Sequence, residues 1–328
     1  MIGAGAMGGV YGGLLFRTGV DVTLVDTREA HVEAIRRDGL RVEGGRGEHV
    51  VRVPACTDPA GLDPFDAVIV FTDSNATAAA AKTARTALKP DGFAMTLQNG
   101  IGNVEALTAE LGTGRVLAGV SMNSAANPGP GRSAYTNAGM TSIGELDGAD
   151  TPRLREMHRM LNAAGIETEI VADPVAWIWG KFVLNCGINA LTAVTRLRSG
   201  DMFRVPEMNA LQERVIDEIL AVVARKGIRL PDPDPRDTIR SHCRVRFNKP
   251  SMMQHVEQGR RTEIDAINGA LVREARALGM SVPYNETLVA VVKGLERSAE
   301  LAAGPAVDYA KVEADAEAEA AREAGAVR

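Results

Sequence analysis

One stretch of the chain carries polar residues at helical spacing: Lys181, Asn185, Asn189 and Thr192, within Lys181-Phe-Val-Leu-Asn185-Cys-Gly-Ile-Asn189-Ala-Leu-Thr192. At about 3.6 residues per turn they fall within an arc of about 80°. Phe182, Val183, Leu184, Ile188 and Leu191 fill the other faces. Asparagine is a mediocre helix former, and a solvated stripe favours Glu, Lys or Gln. The pattern therefore points to a polar stripe lining a cleft; the alternative is an exposed or cap-forming face. A lysine beside a carbonyl can act as a general acid. It gives a proton to the oxygen that becomes a hydroxyl while a hydride arrives from a nicotinamide. Burial would lower its pKa toward the working range. Amide side chains can hold a carboxylate or hydroxyls by neutral hydrogen bonds.

The second chemical signal lies at the other end of the chain. Gly3-Ala4-Gly5-Ala6-Met7-Gly8 reads G-x-G-x-x-G and opens an apolar helical run of Val10, Tyr11, Leu14 and Leu15. Gly19, a strand expected over Val20–Val25, and Asp26 follow. In a dinucleotide-binding unit the first glycine makes a tight turn. The second lets backbone approach a pyrophosphate, and the third allows close helix–strand packing. The helix N-terminus offers free N–H groups to phosphates. Asp26 sits near the ~20-residue spacing of a ribose-binding carboxylate. The plainer alternative is a glycine-rich turn before an ordinary helix. Only Met1 and Ile2 precede Gly3, where such a unit usually carries a strand of about five residues. The first strand is thus nearly absent from this sequence, and a sheet built from these residues alone would lack most of one strand.

A third cluster is Ser251-Met-Met-Gln254, followed by Arg261-Thr262-Glu263-Ile264-Asp265 and Asn268-Gly269. Ser251 with Gln254 fits a helix capping box. Glu263 is expected in mid-helix, where a lone carboxylate is normally solvated.

The elements that must position these residues divide the chain. Residues 1–145 alternate strand-like and helix-like segments, the pattern of a doubly wound α/β fold. Strands are expected at Val20–Val25, Ala67–Phe71, Gly92–Leu97 and Arg115–Val120. Helices are expected at Glu29–Asp38, Asn75–Leu88 and Val104–Leu111. Leu40–Pro54 reads as a short β excursion and Ala134–Gly144 as further strand. An amphipathic helix at Thr151–Ala164 and a strand at Glu167–Val171 follow. After Asp173-Pro174 the character changes. Val175–Val194, Glu207–Lys226, Ser251–Leu278 and Glu286–Arg297 read as long helices, and Pro231–Pro235 as an extended loop. The expectation is a Rossmann-like domain over 1–172, an all-helical substrate domain over 173–298 and an Ala/Glu-rich tail over 299–328, read as a solvated helix or a frayed end.

Composition narrows the function. The 328 residues are 45% apolar, enough for a full core, and the net charge is −5. That charge disfavours nucleic acid or an anionic membrane as the main partner. Arg-rich 236–246 is the nearest approach to a basic patch. Three scattered cysteines, Cys56, Cys186 and Cys243, fit neither a disulfide framework nor a zinc site, so no metal is expected. No apolar run reaches the ~18 residues of a membrane span. No signal peptide is visible, and the cytoplasm is the expected location.

Taken together, these motifs resemble those of the ketopantoate reductase (2-dehydropantoate 2-reductase) family over about residues 1–298. The matching residues are Gly3-x-Gly5-Ala6-Met7-Gly8, Leu97-Gln98-Asn99-Gly100, Lys181-x-x-x-Asn185-Cys186-x-x-Asn189 and Ser251. Thr262-Glu263-Ile264-Asp265-x-x-Asn268-Gly269 and Pro283-x-Asn285 complete them. The resemblance implies a Rossmann domain joined to a helical domain, with substrate in the cleft between. It also implies NADPH as the hydride donor and reduction of a small 2-oxo acid to a 2-hydroxy acid. It assigns Lys181 as the general acid and Glu263 as a substrate contact. Asn185, Asn189 and Ser251 become substrate holders, and Asn99 a neighbour of the nicotinamide.

The chain departs from the family pattern at three places. The family often carries a lysine near cofactor and substrate, where this chain has Thr72-Asp73. Asp26 would favour the free ribose hydroxyl of NADH, whereas Arg28 could pair with the 2′-phosphate of NADPH. The start before Gly3 is short. Two alternatives follow: a paralogous reductase of a different oxo acid, or a non-catalytic nucleotide-binding regulatory protein. A homodimer through the helical domain is a further expectation.

Overall fold

The computed structural model describes residues 1–44 and 47–326, with side chains described through Arg322. Its first part comprises α1 (Ala6–Arg17), β1 (Leu24–Val25), α2 (Glu29–Asp38), β2 (Leu40–Gly44), β3 (His49–Val51) and β4 (Ala55–Cys56). Next come β5 (Phe65–Val70), α3 (Thr77–Ala87), β6 (Leu88–Thr96), α4 (Asn103–Leu111) and β7 (Val116–Ser121). Then follow β8 (Ser124–Gly129), β9 (Arg132–Asn137), β10 (Thr141–Glu145), α5 (Pro152–Ala163) and β11 (Thr168–Ile170). From Pro174 onward the named elements are helical: α6 (Pro174–Thr195), α7 (Ser199–Phe203), α8 (Pro206–Lys226), α9 (Pro235–Val245), α10 (Ser251–Glu257), α11 (Asn268–Ala277), α12 (Pro283–Ala303) and α13 (Tyr309–Ala326).

The main sheet is Rossmann-like. Its order runs β4-β1, then the short Met1–Gly3 segment, then β5-β6-β7-β10-β11. The pairings from β4 through β7 are parallel, and β10 turns back antiparallel to β7. The carboxyl ends of the parallel strands therefore share one edge, where Gly3, Asp26, Thr72, Gln98 and Ser121 gather. In open α/β sheets the ligand crevice lies at that edge, where the strand order reverses. A second sheet, β3-β2-β9-β8, packs on α1.

The sequence explains why the helical half is built around α6. Asp173 caps its start by accepting the Ala176 N–H at 2.9 Å, and Pro174 occupies the first turn without wasting a donor. Phe182, Val183, Cys186, Ile188 and Leu191 are buried against Val215, Ile216 and Ile219 of α8, Ile239 of α9 and Leu271 of α11. A helix so enclosed can carry polar side chains only where a cleft receives them.

The short start gives what its length implies: Ile2 alone bridges Val25 and Val70, donating to Ile69 O at 2.9 Å and accepting from Phe71 N at 2.8 Å, while Gly3 N reaches Val25 O at 2.8 Å. Several other expectations are corrected. The strand expected over Val20–Val25 pairs only at Leu24–Val25, because its partner β4 is itself two residues long. Ser251–Leu278 is not one helix. It ends after Glu257 and resumes at Asn268, with Gly259 at φ +63° closing α10 and a short 3-10 turn at Ile264–Ala266 between. Glu263 therefore lies in a break, not in mid-helix. The capping box at Ser251 does not form either. Pro250 is the N-cap, and the Gln254 amide donates to Lys249 O at 2.8 Å. The stretch Ala134–Gly144 splits into β9 and β10, and β8, α7 and α9 were not anticipated. Beyond residue 299, α12 continues to Ala303 and α13 forms an exposed helix; Val327 and Arg328 lie outside the described residues.

Candidate active site

The glycine loop shows what it is shaped to hold. Gly3 has φ +86°, and a side chain there would meet Thr72 N at 2.6 Å. A Cβ on Gly8 would lie 1.8 Å from Gly3 O, so loop and helix approach as only glycine permits. At Gly5 the situation reverses: a Cβ would meet only Arg28 Nη2, at 3.4 Å. Gly5 also supplies no side-chain cap to α1. The first-turn N–H groups of Ala6 and Met7 have no partner within the helix, and no side chain at Gly5 caps them. These donors fit a dinucleotide's pyrophosphate.

Asp26 closes the far end of that space. Its carboxylate accepts from Ala4 N (3.0 Å), Arg28 N (3.0 Å), Arg28 Nε (2.8 Å) and Arg28 Nη2 (2.8 Å). Burial pushes its pKa up, but the Arg28 hydrogen bonds and charge outweigh this and hold it below the usual carboxylate value. Arg28 is both the partner of Asp26 and half exposed, at 51% of its side-chain surface. Its outer edge remains open to solvent.

The loops after β5 and β6 are stitched together. The Gln98 amide donates to Thr72 O (2.8 Å), Thr72 Oγ1 (3.1 Å) and Thr77 Oγ1 (2.8 Å). Ser74 Oγ and Asn103 Nδ2 both donate to Asn99 O, at 2.7 and 2.8 Å. Thr72 thus serves as an acceptor for Gln98 and brings no positive charge. A cation reaches this loop from the helical half, where Arg260 pairs with Asp73 at 3.4 Å.

The helical half meets these loops directly. Ser74 N donates to Glu263 Oε1 at 2.9 Å, and the Ser74 hydroxyl lies 2.9 Å from the same oxygen, its one proton shared with Asn99 O. Asn75 Nδ2 donates to Thr262 O at 2.8 Å. Glu263, only 7% exposed, is held here because the break after α10 projects it toward the sheet edge. Ile264 N turns back to Thr262 Oγ1 at 3.1 Å, and Thr262 N is held by Glu296 at 2.6 Å. On α6, the Lys181 ammonium donates to the backbone carbonyl of Ser121 at the end of β7. Burial pulls its pKa down to about 8, and the charge of Glu263 opposes that fall. Lys181 and Glu263 are thus near enough to interact, each bonded to a Rossmann loop.

Asn185 follows Lys181 by one turn and is partly buried; Asn189 follows by two and is buried. Thr192 does not continue the stripe: it is fully buried, and its hydroxyl returns to Asn189 O at 3.0 Å. Ser251 opens α10, which packs on α6, and its hydroxyl is not spent on a cap. Three contributors were missed by the sequence reading. Ser74 and Asn75 follow the singled-out Thr72 within three positions, and Ser121 directly follows the strand expected at Arg115–Val120 and ends the observed β7. Position at a strand's carboxyl end was the available signal. Among the described residues no group of three or more His, Cys, Asp or Glu side chains could hold a metal. None of the described helices is long and apolar enough to cross a membrane.

Comparison with known proteins agrees with this geometry. Residues 1–148 match the family described as "Ketopantoate reductase PanE/ApbA", and residues 173–296 match its C-terminal counterpart. The chain is 33% identical over 296 residues to 2-dehydropantoate 2-reductase of Pyrococcus horikoshii, covering 90% of this chain and 96% of that protein. The Halobacterium salinarum enzyme of the same name is 32% identical, covering 90% and 97%. Among solved structures, a PanE/ApbA family ketopantoate reductase from Ralstonia eutropha JMP134 superposes with TM-score 0.85 at 34% identity, covering 90% and 97%. A ternary structure of D-mandelate dehydrogenase with NADH and anilino(oxo)acetate superposes with TM-score 0.84 at 25% identity, covering 91% and 98%. The chain belongs to the ketopantoate reductase family.

Proposed function

We propose that this chain reduces a small 2-oxo acid to a 2-hydroxy acid, with 2-dehydropantoate (ketopantoate) as its substrate and NADPH as its cofactor. The working division is a nucleotide domain over 1–172, a catalytic helical domain over 173–298 and a tail beyond. Gly3, Gly5, Ala6, Met7 and Gly8 cradle the pyrophosphate. Asp26 holds the loop and Arg28 together, and the open edge of Arg28 receives the 2′-phosphate. Thr72 and Asn99 line the nicotinamide end.

When bound, the reduced nicotinamide supplies a hydride to the C2 carbon of the substrate. Lys181 then gives its proton to the carbonyl oxygen, which becomes the hydroxyl, and leaves as a neutral amine to be reprotonated from solvent. A pKa near 8 suits this exchange, because the ammonium is the main form at neutral pH yet releases a proton readily. Asn185, Asn189 and Ser251 hold the polar groups of the substrate. Glu263 contacts it and keeps the ammonium charged until hydride arrives.

The observation that supports this reading most is the double bridge across the cleft. Lys181 reaches Ser121 O, and Ser74 reaches Glu263. Proton donor and carboxylate are thereby brought to the edge where the nucleotide would end. A second reading, a reductase of another oxo acid, is favoured by Thr72, which is bonded to Gln98 where relatives often carry a lysine. Asp26 at the end of β1 likewise keeps NADH as a second donor.

Steady-state assays with ketopantoate, NADPH and NADH in separate runs, followed by a panel of 2-oxo acids, test the proposal. Fast turnover of ketopantoate with NADPH is the expected result. Turnover confined to another acid would favour the second reading. Cofactor binding without turnover of any acid would make the chain a regulatory binder and overturn the proposal.

A further inference from the structure

Two consecutive peptides of the glycine loop are held in different ways. The peptide joining Gly3 to Ala4 is tied by its N–H, which donates from Ala4 N to Asp26 Oδ2 at 3.0 Å. The peptide joining Ala4 to Gly5 is tied by its carbonyl, with Ala4 O 2.8 Å from His31 Nε2 on α2. Ala4 is fully buried, and among the described residues no other donor meets its carbonyl. The next carbonyl differs: Gly5 O already accepts from Gly9 N at 2.8 Å in the first turn of α1, and Ser133 Oγ at 3.2 Å only adds to that. The Ala4 carbonyl thus depends on one side chain, twenty-seven positions away.

His31 is buried, and both of its ring nitrogens are committed. Gly131 N, in the turn between β8 and β9, donates to Nδ1 at 3.1 Å. A backbone N–H can only donate, so Nδ1 carries the lone pair and the ring proton sits on Nε2. Nε2 is therefore the donor to Ala4 O. Burial, the largest influence, lowers the His31 pKa below the ordinary histidine value; the bond to Ala4 O opposes this, Arg28 assists it, and Asp26 opposes it. The neutral ring is the form that both bonds require.

A trans peptide carries its C=O and N–H on opposite sides, and no peptide among the described residues is cis. With Ala4 O drawn to His31, the Gly5 N–H is turned the other way, and it meets no acceptor among the described residues. It thus precedes the N–H groups of Ala6 and Met7 as a further donor at the start of α1, an arrangement that suits a phosphate. Leucine at position 31 would fill the space but leave a buried carbonyl without a donor, which is costly. The loop could relieve that cost only by turning the peptide, and the Gly5 N–H would turn with it.

We propose that His31 is a positioning residue of the cofactor site, which aims the Gly5 N–H by holding the Ala4 carbonyl from a ring anchored to the second sheet at Gly131. The consequence for binding rests on the reading of the glycine loop as the pyrophosphate cradle.

The test is calorimetric titration of the full chain with NADPH, NADH and adenosine 2′-monophosphate. In His31→Leu, NADPH and NADH should each bind about tenfold more weakly, as expected for one lost hydrogen bond to a charged group. Adenosine 2′-monophosphate, which has no pyrophosphate, should bind as it does to the wild type. His31→Gln, whose amide again offers one donor and one acceptor, should recover most of the loss. Unchanged NADPH affinity in folded His31→Leu overturns the inference. So does an equal loss for adenosine 2′-monophosphate, which would mark general damage to the site. Failure of the wild type to bind either dinucleotide removes the cradle itself and this inference with it, so the two failures are told apart. If His31→Leu does not fold, NMR of wild type carrying nitrogen-15 histidine decides. The signal removed by His31→Gln should show its proton on Nε2, and a proton on Nδ1 overturns the inference.

Discussion

The two sides of the cleft are built on opposite principles. The nucleotide side is made of backbone: Gly3, Gly5 and Gly8 matter for the atoms they lack, and the N–H groups of Ala6 and Met7 for having no partner within the helix. The proposed catalytic side is made of side chains, the half-buried Lys181 and the buried Glu263, anchored to backbone and hydroxyl groups across the cleft. Adding a single carbon should therefore damage the first side most, and removing a functional group the second. Burial costs the catalytic side its ordinary proton affinity, which is the property its chemistry needs.

The largest effect that would break this contrast is at Gly8. Gly8→Ala puts a carbon against Gly3 O, so cofactor affinity should fall about 100-fold, equivalent to about 3 kcal/mol. Fluorescence titration with NADPH measures it, and unchanged affinity would mean the loop is not the pyrophosphate cradle. Glu263→Ala should act on the other side alone. Losing the carboxylate that meets Ser74 should raise the KM for the oxo acid roughly tenfold and leave cofactor binding intact. Arg28→Ala should weaken NADPH by about tenfold more than NADH, with equal losses pointing to Asp26 as the only ribose contact.

The smallest effect concerns pH. Lys181 is lowered from 10.5 to about 8 in the fold. Between those values the unfolded chain binds a proton that the folded chain has shed, so this group's contribution makes stability rise with pH across that window. Turnover should run the other way, falling as pH rises through about 8, because the ammonium is the reactive form. Urea unfolding of wild type and Lys181→Met on both sides of the window checks the first. A kcat–pH profile checks the second.

The backbone-built side was the more legible in sequence, because glycine spacing is a direct record of steric need. The start of α6 was equally readable from Asp173-Pro174, and Lys181, Asn185 and Asn189 from their spacing. The break between α10 and α11 was not. Gly259 is a weak stop signal inside an otherwise helical pattern, and the reason for the break lies across the cleft in Ser74 and Asn75. β8 was hidden because Ser124–Gly129 carries no apolar alternation and is defined by its pairing with β9. In sequence Tyr11 reads as one more apolar position, since the strand ends that bind its hydroxyl lie over a hundred positions away.

Turnover of ketopantoate with NADPH by Lys181→Ala, set beside the wild type and beside NADPH binding by both proteins, tests the central claim most directly. Loss of the general acid should lower kcat by about 10²- to 10⁴-fold while cofactor affinity is unchanged. Near-normal turnover in the variant would contradict the account, because the residue on which the two halves converge would then not carry the proton.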